Sequence, residues 1–424
     1  MKILIHHRTQ GKGVEAVHVQ GIAQGMRACG HEVRVVSPPG VQLSVHERKK
    51  GAVRTIAGNV PQPVFECLEL AHNLAALALL TKAKNEFGCD LIYERYAFLG
   101  LASTLAARDW KVPLALEVNY TLASDLGVRT RSRLLRPLTG YCEKLAFRNA
   151  SLLLPVSTAL ARDLAARGCP RERILVSPNA VDLSYFNPGG TGGREQGRGL
   201  FRSPPDVVVG FTGSFAPWHR VDLLMDACRT VAEAVRVNLG LMLVGEGGNR
   251  RDLEARAGGN PENLEVVFAG FVPHDLLPGY IASMDIAVMP HSNDYGSPMK
   301  IFEYMAMEKP VIAPDLVPLR DAVDHGCEGL LFTPGSREEL VYSLLGLIND
   351  PFARREMGRR ARFRVERDHN WKNRCERILG ALAGSPFREG QVHREKPLSS
   401  RPGMTPMEDR RRSLSLKGHV RQPI

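Results

Sequence analysis

Cysteine is present here but never paired. The eight thiols of this 424-residue chain, Cys29, Cys67, Cys89, Cys142, Cys169, Cys228, Cys327 and Cys375, form no C-x-x-C pair. Their spacing fits no metal-ligand pattern, so no metal site is expected. A secretory signal is missing too, because the opening "MKILIHHRTQ" turns polar too soon. Scattered thiols without a signal lead to an expectation of the reducing cytoplasm. Long apolar runs are scarce: "NLAALALLTKA" at 73–83, the most apolar helical stretch, is expected to fall well short of a membrane span. Aromatic residues make up 6% of the chain. No basic stripe interleaves with them, so nucleic acid is not an expected partner.

What remains is the composition of a soluble globular protein, 44% hydrophobic and 24% charged, long enough for two or three domains. The formal net charge of +11 is uneven. Residues 385–424 hold nine Lys/Arg against four Asp/Glu and so contribute five of those charges. That segment lacks apolar periodicity and is expected to be a disordered basic tail. Its excess charge fits either peripheral contact with an anionic membrane at its inner face, or a merely solvated surface.

Short apolar runs alternate with longer amphipathic stretches. "KILIHH", "EVRVVSP", "LIYERY", "PLALEVN", "SLLLPVS" and "RILVSPN" read as buried strands, separated by helical segments such as 14–29 and 131–148. This predicts an α/β fold with a parallel, doubly wound sheet over residues 1–186. Residues 187–206, "NPGGTGGREQGRGLFRSPPD", hold six glycines and three prolines and are expected to be a linker with no core. The pattern restarts over 207–365, where "DVVVGFTG", "LGLMLVGEG", "EVVFAGFV", "DIAVMP", "KPVIAP" and "GLLFTPG" are predicted strands. Two Rossmann-like domains leave a cleft between them, and open α/β sheets bind ligands at the carboxyl ends of their strands.

Three glycine turns belong to that cleft. Gly11 and Gly13, in "GKGVEAVHVQGIAQGM", permit close backbone approach to a phosphate at a helix start. A plain glycine-rich turn has the same sequence. "GFTGSFAPWHRVD" carries Gly213, Ser214, His219 and Arg220, either for a diphosphate or as a polar loop over the sheet edge. "VGEGGNRRDLEARA" presents Gly245, Glu246 and Gly247, where ligand approach and a tight turn are again both open. The fourth feature is an anomaly within "SPMKIFEYMAMEKPVIAP". Ser297 and Pro298 are predicted to be the N-cap and first residue of a helix. Lys300 then takes a third position that favours Glu and repels a cation. Pairing with Glu303 on an exposed face is one account. In the other, the helix dipole, the Ser297 hydroxyl and Lys300 converge on a multiply charged anion such as a diphosphate. Glu303, one turn deeper, would then accept from a neighbouring ribose diol.

In order and at these spacings, "GHEVRVVSP", "VSPNAVDLSYFNP", "LMLVGEG", "FAGFVPHDLLPGYIASMDIAVMP" and "SPMKIFEYMAMEKPVIAP" resemble a family 4 glycosyltransferase of the GT-B architecture. The likeness runs from Met1 to about Leu382. It implies two Rossmann-like domains facing a cleft, and a C-terminal helix over 366–384 that crosses back to the first. It implies transfer from a nucleoside-diphosphate sugar to a glycan, lipid-linked or small-molecule acceptor, with retention and with no required metal or other cofactor. Donor would bind mainly to the second domain and acceptor to the first. By motif, Glu303 is similar to the second glutamate of the family's Glu-seven-residues-Glu pattern. Tyr295 stands where the first glutamate falls, so Asp294 or the Ser297–Lys300 cap would take over its task. Ser214 and His219 stand where the family often has Arg and Lys, which leaves Lys300, helped by Arg220, to carry the phosphate charge. Lys300 and Glu303 are thus the expected catalytic residues. Gly245, Glu246, Gly247, Phe271 and Val272 line the nucleobase side. Glu117 and Asn119, in "LEVNYTLASD", face the acceptor or simply end a strand. Two other classes share such a cleft: a sugar-nucleotide epimerase of GT-B fold, which needs additional acid–base residues, and a non-catalytic sugar-nucleotide or partner-binding protein, which the departures at Tyr295, Ser214 and His219 leave open. A dehydrogenase would need an acidic residue for the nicotinamide ribose, and none stands in place.

Overall fold

The computed structural model describes residues 1–43, 60–124, 132–190 and 194–384. The tail expected over 385–424 lies outside them. Among the described residues eleven strands form two parallel sheets. The first contains β1 (Lys2–His6), β2 (Glu32–Val36), β3 (Leu91–Arg95), β4 (Leu114–Val118) and β5 (Leu152–Pro155), in the order β2-β1-β3-β4-β5. The helices between them are α1 (Val14–Ala28), α2 (Gln62–Phe87), α3 (Ala102–Trp110), α4 (Arg136–Asn149) and α5 (Thr158–Ala166). The inner strands are apolar without alternation because both faces are covered. Ile3, Ile5, Leu91, Tyr93 and Ala115 pack with Val19 and Ile22 of α1, while Leu4, Ile92, Leu114 and Leu116 pack with Ala76 and Leu80 of α2.

Residues 173–179 are not the sixth strand that "RILVSPN" predicts. Leu175 and Ser177 donate their N–H groups to Leu153 and Pro155 at 2.9 and 2.8 Å. The next donor of the ladder, the Asn179 N–H, goes instead to the Ser297 hydroxyl at 3.0 Å, and the chain leaves the sheet. The helix through 73–83 is also longer than expected. It runs from Gln62 to Phe87 and is long and apolar enough to cross a membrane by length and composition. Its start is hidden in sequence by the polar residues near Pro61, and it ends at Gly88, which has φ +89. It packs on β1, β2 and α3, with Leu68 and Leu74 left exposed.

The second sheet has β6 (Val207–Thr212), β7 (Leu239–Val244), β8 (Leu264–Gly270), β9 (Ile286–Val288), β10 (Val311–Pro314) and β11 (Gly329–Phe332), ordered β11-β10-β9-β6-β7-β8. The expected linker is partly packed on this sheet. Within it α6 (Glu195–Arg198) anchors Arg198 on Asp285, and Phe201 is buried against Val208, Met242, Val244 and Met284. The helices that follow are α7 (Val221–Ala234), α8 (Arg250–Arg256), α9 (Leu277–Ser283), α10 (Met299–Ala306), α11 (Val317–Arg320), α12 (Arg337–Asn349) and α13 (Pro351–Asp368). The last helix, α14 (Trp371–Leu382), lies on α1 of the first sheet. A Cβ at Gly25 would stand 2.6 Å from the Trp371 carbonyl oxygen, so glycine lets these two helices touch.

Strand order reverses between β1 and β3 in the first sheet and between β6 and β9 in the second. Such switch points open a crevice at the carboxyl end of the strands, where ligands of this architecture bind. The loops after β6 and β9 carry residues 213–220 and 289–298.

Candidate active site

Lys300 reaches the second switch point from α10. The helix starts at Met299 with Pro298 as its N-cap and no side-chain cap. The predicted cap is therefore wrong, and Lys300 is the second helical residue. The Ser297 hydroxyl instead accepts from the Asn179 N–H at 3.0 Å, and the Ser297 carbonyl accepts from Asn179 Nδ2 at 2.6 Å. Ser297 is engaged with the segment leaving the first sheet, which sequence spacing does not show.

The Lys300 ammonium lies 4.5 Å from the centre of the Phe211 ring and 3.4 Å from His219 Nε2. Gly213, at φ +141, makes room: a Cβ there would overlap Nζ and sit 3.2 Å from Cε. The exposed Lys300–Glu303 pair is not formed. Among the described residues no carboxylate comes within ion-pair reach of Lys300, and Glu303 turns to His274 Nε2 at 3.2 Å. Burial pushes Lys300 down to about 7, with Glu303 pulling the other way. His219 falls to about 4 through burial and the charges of Lys300 and His291, against its bond to the Ser214 carbonyl. An uncompensated, half-buried cation at a switch point is costly unless something anionic arrives.

Glu303 is buried, and only its Oε1 has a partner among the described residues. That partner, His274, lies just beyond β8, stacked on Tyr185 with ring centres 5.7 Å apart. Both sit inside the quoted motifs, yet neither spacing nor residue type marks them as neighbours of Glu303. Tyr295 does not reach toward α10. Its carbonyl accepts from the Ser157 hydroxyl at 2.6 Å, and its ring packs against the first sheet's core. Asp294 is exposed. Nearby, the Asp321 carboxylate accepts from both Thr158 N and Thr158 Oγ1 at 2.7 Å, at the start of α5, where a negative charge is favoured.

The remaining expected residues separate into two groups. Gly245 and Gly247 are glycine because backbone meets backbone: a Cβ at Gly245 would overlap the Gly213 carbonyl, and one at Gly247 would lie 2.7 Å from Phe215 N. Glu246 pairs with Arg250, Phe271 is 45% exposed and Val272 packs on the Phe201 cluster. Arg220 is not a free helper, since its Nε donates to Asp222 at 3.2 Å. Gly11 and Gly13 lie at the first switch point, with φ +66 and +58. Gly11 is closed against Val41, whereas Gly13 faces open space.

Glu117 does not line the acceptor side that its strand-end position suggests. It is fully buried and faces no cleft. Arg374 Nη2 of α14 holds it at 2.8 Å and His18 Nε2 lies at 3.1 Å, while Tyr93 Oη and Asn119 Nδ2 also donate to it. Burial alone would raise its pKa, but His18 and Arg374 hold it well below the usual carboxylate range. Its partner Arg374 is 257 positions away, so the strand-end motif could not announce it. Asn119 spends its amide on the same network.

Residues 14–180 match the family described as "Glycosyl transferase 4-like domain", and residues 206–350 match "Glycosyl transferases group 1". The chain belongs to the group 1 glycosyltransferases. It is 29% identical to 2-deoxystreptamine glucosyltransferase of Streptomyces kanamyceticus, over 67% of this chain and 74% of that one. It is 28% identical to the GDP-mannose-dependent alpha-mannosyltransferase of Mycobacterium tuberculosis, over 85% and 89%. Among solved structures it is similar to HepE of Anabaena in complex with UDP, with TM-score 0.68 and 22% identity over 91% of this chain and 100% of that one. The two sheets are therefore the two halves of a GT-B glycosyltransferase. In this glycosyltransferase the second half offers a cation and a buried carboxylate on one helix, and the first half is tied to it through Ser157, Thr158 and Asn179.

Proposed function

We propose that this glycosyltransferase transfers a sugar from a nucleoside-diphosphate sugar to an acceptor hydroxyl with retention of configuration, and that Lys300 holds the departing diphosphate. The observation that carries this reading is the Lys300 ammonium itself, aimed past Gly213 at the switch point and, among the described residues, in no ion pair with a carboxylate. A relative named as GDP-mannose-dependent and HepE structures with UDP and with UDP-glucose support the donor class. Glu303, with one oxygen unoccupied, would accept from the ribose hydroxyls. The N-terminus of α10 adds its dipole to the lysine.

The chemistry follows from that placement. The bond between the anomeric carbon and the phosphate oxygen breaks, and its electron pair goes to the phosphate. The acceptor oxygen bonds to the anomeric carbon on the face just vacated, and its proton passes to the leaving phosphate. Negative charge grows on the leaving oxygen, so a fixed cation there stabilises the transition state more than the ground state. Such a step asks the protein for positioning and charge rather than a side-chain base. Because Lys300 supplies the charge, we read the reaction as metal-independent, with activity surviving EDTA. The acceptor, a glycan or lipid-linked or small hydroxyl compound, would enter along the first sheet. A cytoplasmic site, with the basic segment 385–424 touching anionic membrane, completes the reading; co-sedimentation with anionic vesicles should be lost on its removal.

The test is direct. Melting is followed against a panel of nucleoside diphosphates, since a ligand of the native state raises stability. The nucleotide that binds selects the sugar donors, and the anomeric configuration of the product is read by NMR. An inverted product, or a sugar epimerised without acceptor, contradicts the proposal. No stabilisation by any nucleotide would remove the donor site altogether.

A further inference from the structure

Lys300 and His219 face each other, and among the described residues no carboxylate pairs with either. The lysine Nζ lies 3.4 Å from His219 Nε2, and His219 Nδ1 lies 2.7 Å from the Ser214 carbonyl oxygen. A carbonyl only accepts, so Nδ1 carries the hydrogen and Nε2 keeps its lone pair. Lys300 thus donates to a neutral histidine, with the Phe211 face against its ammonium. The other charged or titratable groups around the pair are already engaged. Glu303 of α10 bonds to His274. His291, from the loop after β9, has its Nδ1 3.1 Å from the Trp218 carbonyl oxygen. Arg220 pairs with Asp222, and the Tyr304 hydroxyl accepts from the Thr212 N–H at 2.7 Å.

Protonating both nitrogens would set two positive charges side by side, so the ligand-free pair holds one proton fewer than it can. Building on the donor reading above, we infer that an arriving donor diphosphate draws protons from solvent onto the Lys300–His219 pair, making His219 the second cation of the phosphate site. An anion between the two nitrogens converts their repulsion into two attractions. Nε2 then gains a hydrogen that it donates to the phosphate. A permanently charged side chain would do this at any pH, whereas this pair does it on demand. The titration directions agree. With His219 lowered to about 4 and Lys300 to about 7, the free site carries the lysine charge alone between those values. Above about 7 it carries neither. Uptake is therefore expected in two windows, onto His219 near pH 6 and onto Lys300 near pH 8.

Isothermal titration calorimetry in buffers of different ionisation heat measures that uptake. The probes are UDP-, GDP-, ADP- and dTDP-sugars, whose phosphates are diesters and keep a fixed charge across this range. The wild type should take up close to one proton near pH 8 and a measurable fraction near pH 6. Its affinity should fall about tenfold per pH unit above neutrality. His219→Gln should keep the uptake near pH 8 and lose it near pH 6, with unchanged melting of the free protein. Donor binding without uptake in the wild type, or uptake near pH 6 that persists in His219→Gln, overturns the inference while the donor site stands. Absence of binding by every probe at every pH overturns the donor reading, and this inference with it.

Discussion

Lys300→Met keeps the apolar stem and removes the charge, and it should make the ligand-free protein more stable near neutral pH. In the native state the lysine titrates at about 7, against its ordinary 10.5. Between those values the unfolded chain holds more protons than the native one, so the site's contribution to stability rises with pH across that window. Below about 7 the full cost is present, and above 10.5 it is gone. The drop corresponds to a ceiling of about 5 kcal/mol. Water reaches this half-buried side chain and the Phe211 ring stabilises the ammonium, which leaves about 1–2 kcal/mol. At about 2.1 cal/mol/K of unfolding entropy per residue, a 424-residue chain then gains about 1–2 °C in Tm. Scanning calorimetry near pH 6 should show the gain, and near pH 9.5 it should have shrunk. Equal destabilisation at both pH values would make Lys300 an ordinary stabilising residue and refute the idea of a charge held for a ligand.

Gly213→Ala sets a Cβ against Lys300 Nζ at a backbone angle that side chains rarely adopt. Because the lysine end can move, the damage should fall on turnover, by about tenfold or more, with a strain cost of about 1–3 kcal/mol in urea unfolding; unchanged kinetics would mean the ammonium is not where the donor reacts. Glu303→Ala should raise donor KM with little change in kcat, since ribose contacts vary little along the reaction; a kcat loss without a KM change would point to a role at the reacting centre. Arg374→Ala leaves Glu117 buried without its cation and should cost about 3–5 kcal/mol, partly recovered in the double variant with Glu117→Gln. Full activity and stability in the single variant would show that α14 does not depend on that pair.

Where local chemistry decides the structure, the sequence is readable. The runs of Val, Ile and Leu at 207–212 and 239–244 need both faces covered, and they form β6 and β7. The unexpected Lys300 does lie at a switch point, and the glycine at 213 marks how closely it approaches. What was hidden depends on partners far along the chain. Glu117 reads like a cleft residue because the residue that neutralises it arrives with α14. Ser297 reads like a cap because Asn179, which claims its hydroxyl, comes from the other sheet. Gly245 and Gly247 read like ligand-facing glycines, although the neighbouring turn fills that space. Phe201 shows the reverse: glycine and proline around it suggest a bare linker, but one aromatic ring suffices to dock the segment on the second sheet. Composition describes a segment's average, and a single buried side chain can override it.

The most direct test of the account is the turnover of Lys300→Ala with the donor identified by the nucleotide panel. Loss of one preorganised donor to a developing oxyanion typically lowers kcat by about 10²–10³. A fall of that size is expected for Lys300→Ala, with the far-ultraviolet circular dichroism of the wild type retained. Turnover close to wild type would place the diphosphate elsewhere and contradict the assignment of Lys300 as its cation.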